Sequence, residues 1–349
     1  MSLYGLKIKV YRFFNTKIGI SVLKSLSCFV RVKNIKPKNN GNLGKKFPFI
    51  VSITIDTESG YVDYNDHRIW QKSSPKSYIG YYKGIENWRK LLNKYGAKGT
   101  FFLSTNCFSA EGSEYKKILG QLRLLMKEGH EIGLHLHPDS DLALQKHLNK
   151  KFIATSANFY SKDEMGRIIK GSLELIGKNL GKAASKNVKS VRWGNWALNT
   201  DGAKALEEHG FSIDSSATPG IKGHSGDSMQ FDWSKSNSHY PWKLSTKNYQ
   251  NTKDNNSEIL EMPIATFNFL GLTLRADPAN SYLLNAAFDY YYQNADRSKN
   301  PFVFVVISHS IESTHKDGSI TKIIRTMEDF LQNAKKFPDV AFNPIGKSK

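Results

Sequence analysis

From residue 49 onward, short runs of apolar, β-branched and aromatic residues alternate with longer stretches in which apolar positions recur every three or four residues. Runs of the first kind fit strands buried on both faces, and stretches of the second kind fit amphipathic helices. Their alternation is the pattern of βα units around a parallel sheet. Strands are predicted over Phe49–Asp56, Lys98–Ser104, Glu131–His137, Ser190–Gly194, Ser212–Ser216, Glu258–Ile264 and Phe302–His309. Helices are predicted over Gly84–Tyr95, Glu114–Glu128, Lys162–Leu180, Asp201–His209, Tyr282–Ala295 and Ile320–Lys336. Three of them end at Gly96, Gly129 and Gly210, where a left-handed cap needs a residue without Cβ. Ser161 with Glu164 fits a capping box at the start of another.

Seven βα-like units predict an α/β fold, a distorted (β/α)7-type barrel with parallel strands. Gly, Ser, Asn, Lys and scattered aromatics dominate residues 217–257, which read as an irregular insertion over one barrel mouth. The expected organisation is an N-terminal extension over 1–46 and a barrel domain over 47–349, with Lys33–Lys46 as the linker candidate.

Charge changes the picture at the N-terminus. Of the net +19, residues 1–46 supply eleven Lys or Arg and no acid. Interleaved with Phe13, Phe14, Ile18, Ile20, Val22, Leu23, Leu26 and Phe29, they fit either an amphipathic helix on an anionic membrane surface or a solvated or docked extension. The apolar stretch Ile18–Val30 is interrupted by Lys24, too short to span a bilayer and without a clear cleavage site, so the expected location is cytoplasmic, with peripheral contact to the inner membrane face. Cys28 and Cys107 are too few for a disulfide framework. No zinc-finger spacing, RNA-binding aromatic motif or basic zipper accompanies the positive charge, so nucleic acid is not an expected partner.

Polar residues gather at the C-terminal ends of the predicted strands, where parallel α/β barrels carry their active sites. The ends read Thr54-Ile55-Asp56-Thr57-Glu58, His135-Leu136-His137-Pro138-Asp139, Arg192, Asp214-Ser215-Ser216 and Ser308-His309-Ser310. Two strand positions separated by one residue face the same side, so His135 and His137 project two imidazoles into one space, as metal coordination needs. Glu58 completes a two-histidine, one-carboxylate set suited to a divalent ion, zinc first among them. Trp193, Trp196, Trp233, Tyr240 and Trp242 offer flat faces for sugar rings, and the substrate-binding set is taken as Trp193, Trp233, Tyr240 and Trp242.

Thr54–Glu58 and Gly129–His135 resemble the first and second motifs of the NodB-type polysaccharide deacetylases (carbohydrate esterase family 4). Lys98–Leu103 is similar to the strand that these enzymes place between those motifs. Val191–Gly194 resembles the third motif, Asp214–Ser216 the region of the fourth and Val306–His309 the fifth, all in order across residues 49–309. The chain looks closest to a subgroup found among bacterial O-antigen and surface-polysaccharide genes. The resemblance implies a distorted barrel that removes acetyl groups from an N-acetylated glycan or glycan precursor. Carried over by motif, Asp56 is the expected base, Glu58, His135 and His137 the metal set, Arg192 the orienter of the base and His309 the acid, with Asp214 joining the catalytic residues. Two departures stand out: Asp-Thr-Glu replaces adjacent carboxylates, which leaves open which acid binds metal. Asp139 occupies the position of the usual next histidine, so either His137 or Asp139 is the third ligand. Competing readings are a binuclear amidohydrolase and a glycan-binding barrel without catalysis.

Overall fold

A computed structural model of the chain describes residues 17–35, 47–63, 71–223 and 230–348. Seven parallel strands form its centre: β1 Phe49–Thr57, β2 Thr100–Ser104, β3 Glu131–Leu136, β4 Ser190–Trp193, β5 Ile213–Asp214, β6 Leu260–Glu261 and β7 Phe302–His309. Their order in the curled sheet is β6-β5-β4-β3-β2-β1-β7. Trp242–Lys243 adds an antiparallel edge to β6, and Val340–Phe342 pairs with the start of β1. Beyond β6, Ile264 hydrogen-bonds Ala217 while Ala265 donates to the Val305 carbonyl of β7 at 3.0 Å, so the distorted barrel closes through a bridge rather than a full ladder. The fold class matches the expectation. β1 is buried along its whole length because it has neighbours on both edges and side chains packed on both faces.

The helices follow the apolar spacing closely. Lys162–Leu180 carries the Ser161–Glu164 capping box, and Gly96, Gly129 and Gly210 take positive φ. The helix Ile85–Lys94 enters through a wider π turn at Gly80–Gly84. There a Cβ on Gly80 would strike the Glu58 carbonyl, and one on Gly84 the Ser310 carbonyl, so these glycines let the helix approach the ends of β1 and β7. Elements absent from the sequence reading are the helices Leu142–Leu148 and Lys182–Asn187, the strand Val340–Phe342 and the hairpin Thr266–Phe269 with Leu272–Arg275. The insertion over 217–257 is largely irregular where described, and its Trp233 indole donates to the Trp196 carbonyl beyond β4 at 2.8 Å.

The N-terminal helix Lys17–Leu26 and the stretch after it dock on the barrel: Leu23, Val30, Val32 and Ile35 join the main core. Arg31 and Asn268 exchange amide-to-carbonyl hydrogen bonds at 2.9 and 2.7 Å, extending the hairpin by one bridge. Ile18 and Phe29 stay exposed at 71% and 51%. Phe13, Phe14 and most of the expected linker lie outside the described residues. No helix among the described residues is long and apolar enough to cross a membrane.

Candidate metal and hydrolytic site

The ends of β1, β3, β4 and β7 bring the expected polar residues to one rim. Register pairs Asp56 with His309 across β1 and β7, and His135 with Arg192 across β3 and β4. Alternation along β1 turns Thr54 and Asp56 to one side, where the Arg192 guanidinium meets both, at 2.9 Å and 2.7 Å. Ser215 fixes the rest of that guanidinium through its carbonyl and hydroxyl, at 2.7 and 2.9 Å. Arg192 is fully buried and stacks over the Phe102 ring, so it aims its cation at the Asp56 carboxylate.

Glu58 and the two histidines form the one group of potential metal donors found among the described residues, with ligand atoms within 4.8 Å of each other. Glu58 Oε1 lies 3.2 Å from Nε2 of His135 and 3.2 Å from Nε2 of His137. His135 Nδ1 sits 3.0 Å from the Arg192 carbonyl, so this nitrogen carries the proton and Nε2 presents its lone pair to the cluster. The His137 Nε2 contact is off line for a hydrogen bond, leaving a buried nitrogen without a hydrogen-bond partner. Such an orphan, in a set of two imidazoles and a carboxylate, fits an intermediate divalent ion such as zinc. Gly194 makes room for His137: a Cβ there would fall 2.7 Å from Nε2. Asp139 does not join the group; its carboxylate accepts the Thr155 hydroxyl at 2.7 Å.

The electrostatics separate the roles. Burial pushes Glu58 up, but the two imidazoles beside it and the nearby His309 charge overcome it and hold the carboxyl well below its usual range. His137 is raised, burial being outweighed by Glu58. His309 Nε2 lies 3.9 Å from Asp56 Oδ2, and its Nδ1 lies 3.4 Å from Glu312. Burial works against its charged form, yet the Glu312, Glu58 and Asp56 carboxylates together hold the imidazole up at about 10. Glu312 is itself pinned by the Ser308 hydroxyl and the His309 amide, at 2.6 and 2.9 Å. The sequence reading missed Glu312; its signal was the three-residue spacing from His309 into a short helical turn.

Other expected residues stand elsewhere. Asp214 is fully buried, turned to the Ser216 hydroxyl at 2.7 Å and beside its register partner Glu261, apart from Asp56 and His309. Burial raises its carboxyl, and burial together with the adjacent Asp214 charge raises Glu261 well above the usual range, so both acids are pushed toward their protonated, neutral forms. Of the four aromatics expected to bind sugar, three are buried. Trp193 and Trp233 are fully buried and donate to the carbonyls of Thr155 and Trp196, and Trp242 is buried at the sheet edge. The half-buried Tyr240 accepts from the Asp296 amide and packs edge-on against Phe302. These rings fill core, because an insertion with few aliphatic residues packs with the aromatics it has. Trp196 keeps partial exposure, but the Arg275 guanidinium covers its face 3.8 Å from the ring centroid.

No protein-family model matches the chain, and no curated protein matches its sequence. Solved structures do match in fold. A protein named as a polysaccharide deacetylase from Mycobacterium smegmatis is 16% identical with a TM-score of 0.53, covering 91% of this chain and 93% of that one. A protein named as a glycoside hydrolase/deacetylase from Parabacteroides distasonis is 14% identical with a TM-score of 0.58, over 88% of this chain and 71% of that one. An allantoinase is 13% identical with a TM-score of 0.52, over 88% and 92%. The chain thus has the distorted barrel fold of structures named as polysaccharide deacetylases, a fold that also serves an allantoinase.

Proposed function

We propose that the chain is a metal-dependent deacetylase that hydrolyses the N-acetyl group of a sugar in a bacterial surface glycan or its precursor. The observation that carries this reading is the meeting of Glu58, His135 and His137 beside an Arg192-held Asp56, with His309 on the neighbouring strand. Glu58, His135 and His137 would hold the ion, which supplies a Lewis acid for the amide carbonyl and lowers the pKa of water toward neutrality. Asp56, aimed by its 2.7 Å contact with Arg192, accepts the proton of the attacking water. His309, kept protonated by Glu312, donates to the departing sugar nitrogen, which leaves poorly as an anion. The products are acetate and the free amine. A carboxyl group and a raised imidazole on neighbouring strand ends suit acid and base work in a single site. We place the reaction in the cytoplasm. The basic N-terminal segment, with Ile18 and Phe29 turned outward, supports contact with an anionic membrane face.

The test is acetate release from N-acetylated oligosaccharides by the metal-loaded full chain, alongside metal analysis. One ion per chain and acetate production are expected. Two ions per chain would favour a binuclear amidohydrolase, a metal-free inactive protein a glycan-binding barrel, and turnover of allantoin without acetate release a cyclic-amide hydrolase.

A further inference from the structure

The hairpin Thr266–Phe269 with Leu272–Arg275 hands the chain back to the barrel at Ala276, whose carbonyl accepts the Ile307 amide of β7 at 3.0 Å. This pairing sets Arg275 and Asp277 beside the end of β7, two residues short of His309. Arg275 reaches across to the loop after β4 and lies flat on Trp196. That loop is built under strain: Asn195 and Trp196 both take positive φ, 50° and 58°, unfavourable for residues with side chains. The buried Trp233 indole holds the Trp196 carbonyl and so fixes the platform.

A guanidinium has five N–H donors in one plane, and stacking on an indole leaves all of them free at the edge. Arg275 forms no hydrogen bond or ion pair through them with any described residue, whereas the buried Arg192 makes four hydrogen bonds, to Thr54, Asp56 and Ser215. Burial pushes the Arg275 charge down while the Asp277, Glu312 and Asp56 charges pull it back, and the Ala276–Ile307 hydrogen bond sets the residue beside the end of β7. A half-buried cation with unused donors beside a reaction centre is an unfilled recognition element.

We propose that Arg275, laid on Trp196, binds an anionic group of the substrate, a carboxylate or phosphate carried on or next to the acetamido sugar. The fork geometry matches the paired oxygens of either group, and water is displaced from a cation that is already partly desolvated. The identity of the reacting bond rests on the deacetylase reading; the anion subsite does not. The distinguishing residue is then in the hairpin and outside the motif strands.

Calorimetric titration of the metal-loaded full chain with N-acetylglucosamine, N-acetylglucosamine 1-phosphate, N-acetylmuramic acid and the methyl ester of that acid tests it. At least one charged sugar is expected to bind about tenfold or more tightly than its neutral counterpart, since a charge-assisted bidentate contact is worth that much. The phosphate and carboxylate arms tell the two sources apart. Arg275→Gln is expected to abolish the preference and Arg275→Lys to keep part of it. Equal affinity of the wild-type chain for charged and neutral sugars, or a preference that survives in Arg275→Gln, overturns the proposal; the wild-type comparison holds whether or not the variants fold. Charged preference without acetate release from any sugar keeps the anion subsite and removes the deacetylase reading.

Discussion

Asp56 and Glu58 at the end of β1 and Asp214 and Glu261 on β5 and β6 are both pairs of acids at strand ends, and their surroundings drive them in opposite directions. Glu58 faces two imidazoles, which hold its carboxyl down, and Asp56 faces a guanidinium. The second pair has hydroxyl and amide donors and feels Arg192 only weakly against its burial, so both acids are pushed toward the protonated form. An acid after an apolar run therefore marks a position that meets other strand ends, and the partners across the rim decide whether it becomes a reactive group or a neutral structural one.

Breaking the first pair should have the largest effect. Asp56→Asn is expected to lower turnover by on the order of 10²- to 10⁴-fold with metal content unchanged, whereas His135→Ala loses bound metal and activity together. Kinetics with parallel metal analysis checks both; full activity in Asp56→Asn would remove the base assignment. Gly194→Ala tests the space rather than the charge. Its methyl group must displace the His137 imidazole, so metal affinity should weaken on the order of 10- to 100-fold, measured by competition with a chelating dye, while secondary structure is retained.

Glu312→Gln sharpens the comparison through pH. His309 must be protonated to act as the acid, and Glu312 is the largest influence raising it. Removing that charge lowers the folded-state value, so the alkaline limb of the rate profile should move to lower pH by roughly one to two units. An unmoved limb would detach Glu312 from the acid. The smallest effect belongs to the neutral pair. Glu261 has a raised folded-state value, so its favourable contribution is fully present below the unfolded carboxyl value and is lost as pH rises through the folded one. Glu261→Gln should flatten this decline in denaturant titrations above about pH 4.5 and leave turnover within about twofold.

Much of this was legible in the chain itself. The seven strands fall where apolar runs stop at polar ends, and the spacing of His135 and His137 alone puts two rings on one side of β3. β5 and β6 are shorter than their apolar runs because the chain bends there to reach β7, a closure that local patterning does not encode. The aromatic rings are buried for a related reason: Trp193 follows Arg192 on a strand, so alternation turns its ring away from the site and into core. Glu261 and Arg275 were missed because each matters through a partner distant in sequence, beyond what periodicity reports, whereas Glu312 lies three residues from His309 and was missed because the short turn between them was not foreseen.

The bridge between Arg31 and Asn268 gives the basic beginning of the chain a part in recognition. It supplies a short third edge to the hairpin that ends at Arg275, so the wall opposite the Trp196 loop is braced by residues far outside the barrel motifs. Clipping the N-terminal segment would unlatch that wall while sparing every ligand and proton carrier. A shortened protein would then keep the Glu58, His135 and His137 group while losing the brace behind Arg275.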